Sequence, residues 1–210
     1  MRRSEREREF VEHLVRLAPH FGLELSAEVL EKLASHYSLI LRWNERVNLT
    51  STLEPAEIAQ FHYLESLYGA TLLKAEHVVD IGSGAGFPGL VMAVFWPELK
   101  VTLIERNRKR AVFLQEALFK LGLARANVFF GCYQEYPSRD FDAVTCRALD
   151  RMRQELPSLL RFGSSTRQIL IFGTPVLASW VEKAAQGNWT VSRYKIPLSR
   201  ERILTILHRN

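Results

Sequence analysis

Five residues within one short stretch, Asp80, Gly82, Gly84, Gly86 and Gly89, have the types and spacing to do chemistry together. Glycines so close let a chain turn tightly with φ > 0, and without side chains they let a ligand lie directly on the backbone. The apolar run Val78-Val79 before them and Leu90-Val91-Met92-Ala93-Val94-Phe95 after them read as a buried strand and a helix. Strand, glycine turn and helix form the opening unit of a nucleotide-binding α/β fold. Free N–H groups at the start of the following helix favour an anionic group such as a carboxylate.

A second strand, 101–104, ends in Glu105, placed to accept hydrogen bonds from the hydroxyls of a ribose. Read from Gly82, the turn is G-S-G-A-G, the commoner form at S-adenosylmethionine (SAM) sites. Read from Gly84, G-A-G-F-P-G fits the dinucleotide pattern as well, so turn and acid specify a nucleoside and leave two cofactors open. A P-loop is excluded, because no G-K-[ST] follows the glycines.

The elements that must position these groups are readable from periodicity. Residues 5–74 carry apolar residues at helical spacing, among them Phe10, Leu14, Leu17 and Phe21, and no strand pattern. Ser26 is suited to cap a second helix and Gly22 to stop the first. From residue 76 strand and helix alternate, which implies a largely parallel sheet covered on both faces. Its strands are expected at 77–81, 100–104, 127–130, 141–145 and 168–172, with helices at 107–121 and 175–185. Two last strands, 188–194 and 202–207, have no helix between them and must form an antiparallel hairpin. A seven-stranded sheet with that ending fits a class I SAM-dependent methyltransferase, a Rossmann-like α/β fold, better than paired dinucleotide halves. Residues 1–74 are then a helical extension packed on a SAM-binding domain of residues 75–210. An NAD-dependent oxidoreductase and a methyltransferase-like binding protein without turnover are the competing classes.

In such a sheet the turn after strand three lies beside the base of the cofactor, which makes Tyr133 and Gln134 candidates to flank an adenine. Arg147, at the carboxyl end of strand four, points into the binding crevice. Arg108, Lys109 and Arg110 crowd a helix start, where positive charge opposes the macrodipole, so phosphate contact competes with mere solvation as their role. Arg2, Arg3, Arg6 and Arg8 alternate with glutamates and read as a solvated helix face. His62 reads as a structural histidine.

The chain has 210 residues, 47% of them hydrophobic, and a net charge of +5, enough for one good core and mildly favouring an anionic partner. Two cysteines, Cys132 and Cys146, cannot make a metal cluster by themselves and suit a reducing compartment. With no stretch approaching a membrane span and a charged start, the expectation is a cytoplasmic monomer with no metal.

Several runs together resemble the GidB/RsmG family of bacterial methyltransferases, which methylate a guanine at N7 in 16S ribosomal RNA. They are Val47-Asn48-Leu49-Thr50, His62-Tyr63-Leu64-Glu65-Ser66-Leu67, the 80–89 turn, Lys109-Arg110-Ala111-Val112-Phe113-Leu114 and Arg147-Ala148. The resemblance implies SAM as cofactor and 16S ribosomal RNA or the small ribosomal subunit as partner. It implies cofactor contacts at Gly82, Gly84, Gly86, Phe87, Glu105, Tyr133, Gln134 and Arg147, the last also positioning a base or phosphate. RNA would meet Arg108, Lys109 and Arg110. The chain departs from the family at Cys132, where an arginine is frequent, at Gln134, where an acid is, and at Phe172, where a lysine is. Methylation at N7 needs no deprotonation, since that nitrogen already bears a lone pair, and no nucleophile–histidine–acid constellation is legible.

Overall fold

The glycine turn is held by elements from both ends of the chain. A computed structural model describes residues 4–147, 152–185 and 187–210. Before the sheet its elements are all helical. Helix α1 (Glu5–Leu17) starts from a capping box: the Ser4 hydroxyl accepts from Glu7 N–H while the Glu7 carboxylate accepts from Ser4 N–H. A 3-10 turn, Ala18–Phe21, ends at Gly22 with φ 67°. Helix α2 (Ala27–Asn44) is capped by the Ser26 hydroxyl. Helix α3 (Pro55–Ile58) runs through a π-helical turn, Ala59–Leu64, into α4 (Glu65–Leu72).

The sheet then alternates with helices: β1 (His77–Ile81), α5 (Gly89–Phe95), β2 (Lys100–Glu105), α6 (Arg108–Leu121) and β3 (Ala126–Phe130). There follow β4 (Ala143–Arg147), α7 (Met152–Phe162), β5 (Gln168–Gly173), α8 (Pro175–Ala184), β6 (Trp189–Lys195) and β7 (Ile203–Arg209). The strand order is β3-β2-β1-β4-β5-β7-β6. The first five strands are parallel, and β7 runs antiparallel between β5 and β6. The terminal hairpin forms as expected, and its second strand inserts into the sheet. Strand four lies two residues further on than its pattern suggests, so Arg147 is its last residue. Helix α7, which periodicity does not single out, carries Pro157.

Alternation along the strands divides the core in two. Val78, Leu103, Leu170 and Leu204 face the layer of α1, α2, α4, α5 and α6. Val79, Ile104, Val144 and Ile171 face α7 and α8. The N-terminal helices join the first core through Phe10, whose ring stacks on Tyr37 at 4.5 Å and meets Tyr63 edge-on at 4.7 Å. Phe172 lies fully in this core; a Cβ added to Gly69 of α4 would come within 2.4 Å of its ring. Position 172 therefore packs the interior and offers no surface to RNA. No helix among the described residues is long and apolar enough to cross a membrane.

Candidate active site

The switch point between β1 and β4, where strand order reverses, opens the carboxyl edge of the sheet. Past β1 the backbone takes φ of 72° at Gly82, 55° at Gly84 and 91° at Gly86, a conformation that side chains disfavour. Gly82 and Ser83 N–H groups donate to the Ile104 carbonyl, at 2.9 and 3.2 Å, which ties the turn to β2. Glu105, 4% exposed, completes the tie. One of its carboxylate oxygens accepts from Gly84 N–H at 2.9 Å and the other from Asn107 N–H at 2.7 Å. Each oxygen keeps a lone pair for a ligand.

Beneath the turn Asp80 is fully buried. It accepts from Gly89 N–H at 3.1 Å through one oxygen, and its other has no partner among the described residues. Burial pushes its carboxyl up to about 7, against the pull of the Gly89 N–H, while the Ser83 hydroxyl donates to the Asp80 backbone carbonyl at 3.0 Å. A Cβ at Gly89 would stand 2.5 Å from the Cβ of Asp80, so only glycine can start α5 so close to β1.

A cleft of about 440 Å³ lies over β1, β2 and the loop after β3. It is lined by Gly82, Glu105, Asn107, Gly131, Tyr133 and Gln134, together with Ile81, Ile104 and others. Its volume is that of a small-molecule site, and its lining is more polar than apolar, with Ile81, Ile104 and Tyr133 set among Glu105, Asn107, Arg110 and Gln134. Gln134 is exposed at its rim. Tyr133 is buried, and its hydroxyl donates to Glu155 of α7 at 2.8 Å; burial raises it to about 12. Nothing in the sequence singles out Glu155, because α7 carries no motif. Cys132 is exposed and also lines the cleft.

Of the other expected cofactor residues, Gly84 and Gly86 shape the turn without lining the cleft, and Phe87 faces away from it. The Phe87 ring stacks on His62 at 4.8 Å and meets Tyr63 edge-on at 4.9 Å. Beside them the fully buried His36 bonds the Tyr63 hydroxyl at 3.0 Å. Burial holds both His36 and His62 down to about 3, so each is a neutral ring at physiological pH, in keeping with a structural role for His62.

Arg147 also stands apart from the cleft, inside a buried charge cluster. Its Nη1 lies 3.1 Å from Glu65 Oε2, an ion pair without hydrogen-bond alignment, and its Nη2 donates to the Phe61 carbonyl. Glu65 is fully buried, and Arg202, arriving from the hairpin loop, brings Nε within 2.7 and 2.8 Å of its two oxygens. Burial lowers Arg147 to about 10, which leaves it charged; burial lifts Glu65 while the two guanidinia pull it back. Two cations therefore share one carboxylate. Sequence reasoning does not reach Glu65 or Arg202 as site residues, although Glu65 lies within one of the runs that carry the family resemblance.

The basic residues at the start of α6 divide. Arg108 and Lys109 are exposed. Arg110 is half-buried, lines the cleft and donates to the Asn48 carbonyl at 2.9 Å. Asn107 caps the helix, its side chain accepting from Lys109 and Arg110 N–H, which offsets the unfavourable charge placement. At the N-terminus Arg6 is engaged, bonding Glu54 and the Leu53 carbonyl. Arg2, Arg3 and Ala148 lie outside the described residues.

A seven-stranded sheet of this order, with a glycine turn after β1 and an acid ending β2, is the class I SAM-dependent methyltransferase fold. Solved structures agree. A precorrin-6y C5,15-methyltransferase from Geobacter metallireducens matches with a TM-score of 0.55 at 15% identity, covering 77% of this chain and 91% of that one. A variant of MtNAS in complex with S-adenosylmethionine matches at 0.59 and 15% identity, covering 85% and 75%. Residues 29–192 match the family model GidB, rRNA small subunit methyltransferase G. The chain belongs to the GidB family. Its relatives include a ribosomal RNA small subunit methyltransferase G of Chromohalobacter salexigens, 34% identical over 75% of this chain and 72% of that protein. One from Sorangium cellulosum is 34% identical over 83% and 75%. One from Halorhodospira halophila is 39% identical over 64% and 65%.

Proposed function

We propose that this chain binds SAM in the cleft over β1–β3 and transfers its methyl group to N7 of a guanine in 16S ribosomal RNA. It does so as a cytoplasmic monomer, with residues 1–74 as a helical extension on a catalytic domain of residues 75–210. The observation that carries this reading is the buried Glu105 carboxylate, fixed by two backbone N–H groups and still able to accept from a ribose diol at the wall of a suitably sized cleft. Family membership supports the substrate.

The residues present suit the cofactor. Glu105 would hold the ribose, Gly82 the methionyl end, with Gly84 and Gly86 shaping the turn and Phe87 behind it, and Tyr133 with Gln134 the adenine. When bound, SAM supplies an electrophilic methyl on a sulfonium. The chain's part is to bring a lone-pair nitrogen into line with it, and positioning of that kind is the main source of acceleration in a displacement that moves no proton. His62 and His36, held neutral, are not needed as bases. Arg147, pinned by Glu65 and Phe61, would orient the base or its phosphate from a fixed point, and Arg108, Lys109 and Arg110 would meet the RNA backbone.

Calorimetric titration with S-adenosylhomocysteine, with NAD in parallel, tests the cleft. The wild type should bind the first alone, and Glu105→Ala should weaken it about 10- to 100-fold, as for lost hydrogen bonds to a charged group. Equal binding by Glu105→Ala would remove the ribose role. Methyl transfer to 16S ribosomal RNA, mapped by the reductive strand scission to which N7-methylguanine is prone, tests the acceptor.

A further inference from the structure

We propose that Phe61 is the platform on which the acceptor purine stacks during methyl transfer, an inference that rests on the RNA methyltransferase reading above. Phe61 belongs to the π-helical turn Ala59–Leu64 between α3 and α4. Such turns carry an extra residue per turn and displace a side chain from the regular apolar stripe. Here Ile58, Ala59, Tyr63 and Leu64 are all buried, while Phe61 stands 36% exposed in their midst.

The backbone that carries this ring is fixed from three sides. Its own carbonyl accepts from the Arg147 guanidinium at the end of β4. His62, next in the chain, stacks on Phe87, which directly follows the glycine turn. Gln60 donates through Nε2 to the Leu198 carbonyl in the hairpin loop, at 3.1 Å. Phe61 is thus anchored at the end of β4, on the other side of β1 from the cleft, and on this proposal the acceptor enters from that side. Arg147 and Arg202, two cations on the one Glu65 carboxylate, give the neighbourhood a net positive charge that suits the phosphates flanking a splayed nucleotide.

The other large exposed aromatics among the described residues lack this setting. Trp96 follows α5 and donates to the Ala70 carbonyl, Phe119 projects from the outer part of α6, and Phe130 ends β3 at the far edge of the sheet. Stacking also matches the chemistry. It engages the π face of the base and leaves the in-plane lone pair at N7 free for the methyl, whereas a hydrogen bond to N7 would block it. RNA bases are commonly read in this way, splayed out and stacked on an aromatic ring.

Steady-state methylation of 16S ribosomal RNA by Phe61→Ala, Phe61→Trp and Phe119→Ala, with S-adenosylhomocysteine titrations of each, tests the proposal. Phe61→Ala should lower kcat/KM for RNA about 5- to 150-fold, the range for removing one base–aromatic stack. Its S-adenosylhomocysteine affinity should stay within about twofold of wild type. Phe61→Trp should restore turnover, and Phe119→Ala should match the wild type. Unchanged kcat/KM in Phe61→Ala overturns the platform, and so does a parallel loss of S-adenosylhomocysteine affinity, which would mark the ring as structural. A wild-type chain inert on ribosomal RNA overturns the function and the platform together; an active wild type with an indifferent Phe61→Ala overturns the platform alone.

Discussion

The two sides of the sheet's carboxyl edge are built by different means. Over β1–β3 the cleft is organised by the glycine turn and the Glu105 carboxylate that ties it to β2, and the key hydrogen bond joins residues 21 apart. Over β4 they are long side chains, and their bonds join Arg147 to a residue 86 positions away and Arg202 to one 137 away. The first side forms wherever strand, turn and strand form. The second exists only when the N-terminal helices, β4 and the terminal hairpin have all docked. The cleft proposed for the cofactor is thus built by local structure, while the proposed acceptor side is assembled from parts distant in the chain.

The largest test of that difference is Glu65→Ala. Removing this carboxylate takes away the counter-ion that Arg147 and Arg202 share, and Arg147 is almost wholly buried. Breaking a buried pair in this way costs ~3–5 kcal/mol, and the loss should appear as a lower urea midpoint with an unchanged slope. Glu65→Gln, which fills the same space, should lose less. A midpoint equal to wild type in Glu65→Ala would mean that the helices and hairpin are held without the cluster, and the contrast between the two sides would collapse.

Asp80 sharpens the comparison from the cleft side. It is buried like Glu65, but its carboxylate takes its hydrogen bond from a backbone N–H rather than from guanidinia, and its carboxyl is raised to about 7. The fold therefore keeps a proton that the unfolded chain releases near 3.8. By linkage, its contribution is fully present below that lower value and is lost as pH rises through 7, at about 1.4 kcal/mol per pH unit within the window. Asp80→Asn keeps an acceptor for the Gly89 N–H and does not titrate. Its stability relative to wild type should climb between pH 4 and 7 and then level off. A flat difference would show Asp80 ionised throughout, which would place a compensating cation nearby.

These two acids also mark what the sequence discloses. The turn at 80–89, the strands 77–81 and 100–104, the Asn107 cap and the terminal hairpin are all legible, because each is specified by residues a few positions apart. Glu105 is legible for the same reason. Glu65, Arg202 and Glu155 are not, since their roles arise from partners brought close only by the sheet order, and a charged residue in a helical stretch gives no sign that it will be buried. The outward ring of Phe61 is equally hidden. The sequence shows only an apolar helical stretch there, and the structure leaves the ring exposed in a π-helical turn whose Ala59, Tyr63 and Leu64 are buried. Phe172 misleads in the opposite sense: the resemblance marks its position as one where a lysine is frequent, and the packing against Gly69 puts it inside.

The smallest effect expected is at the start of α6, where contact with the RNA backbone is proposed. Arg108 and Lys109 are exposed on the cleft side, whereas Arg110 is already bonded to the Asn48 carbonyl. Replacing Arg108 and Lys109 together by alanine should leave S-adenosylhomocysteine binding intact and weaken RNA only modestly. The informative quantity is the slope of log affinity against log salt, which should flatten by about 0.7 for each single-strand phosphate that is no longer neutralised. Arg110→Ala should flatten that slope less than the double variant, because this guanidinium is already bonded to Asn48, and should also disturb the cleft wall. If the slope is unmoved in the double variant, the phosphates are held elsewhere along the edge, and the net positive cluster of Arg147 and Arg202 would carry the electrostatics as well as the positioning.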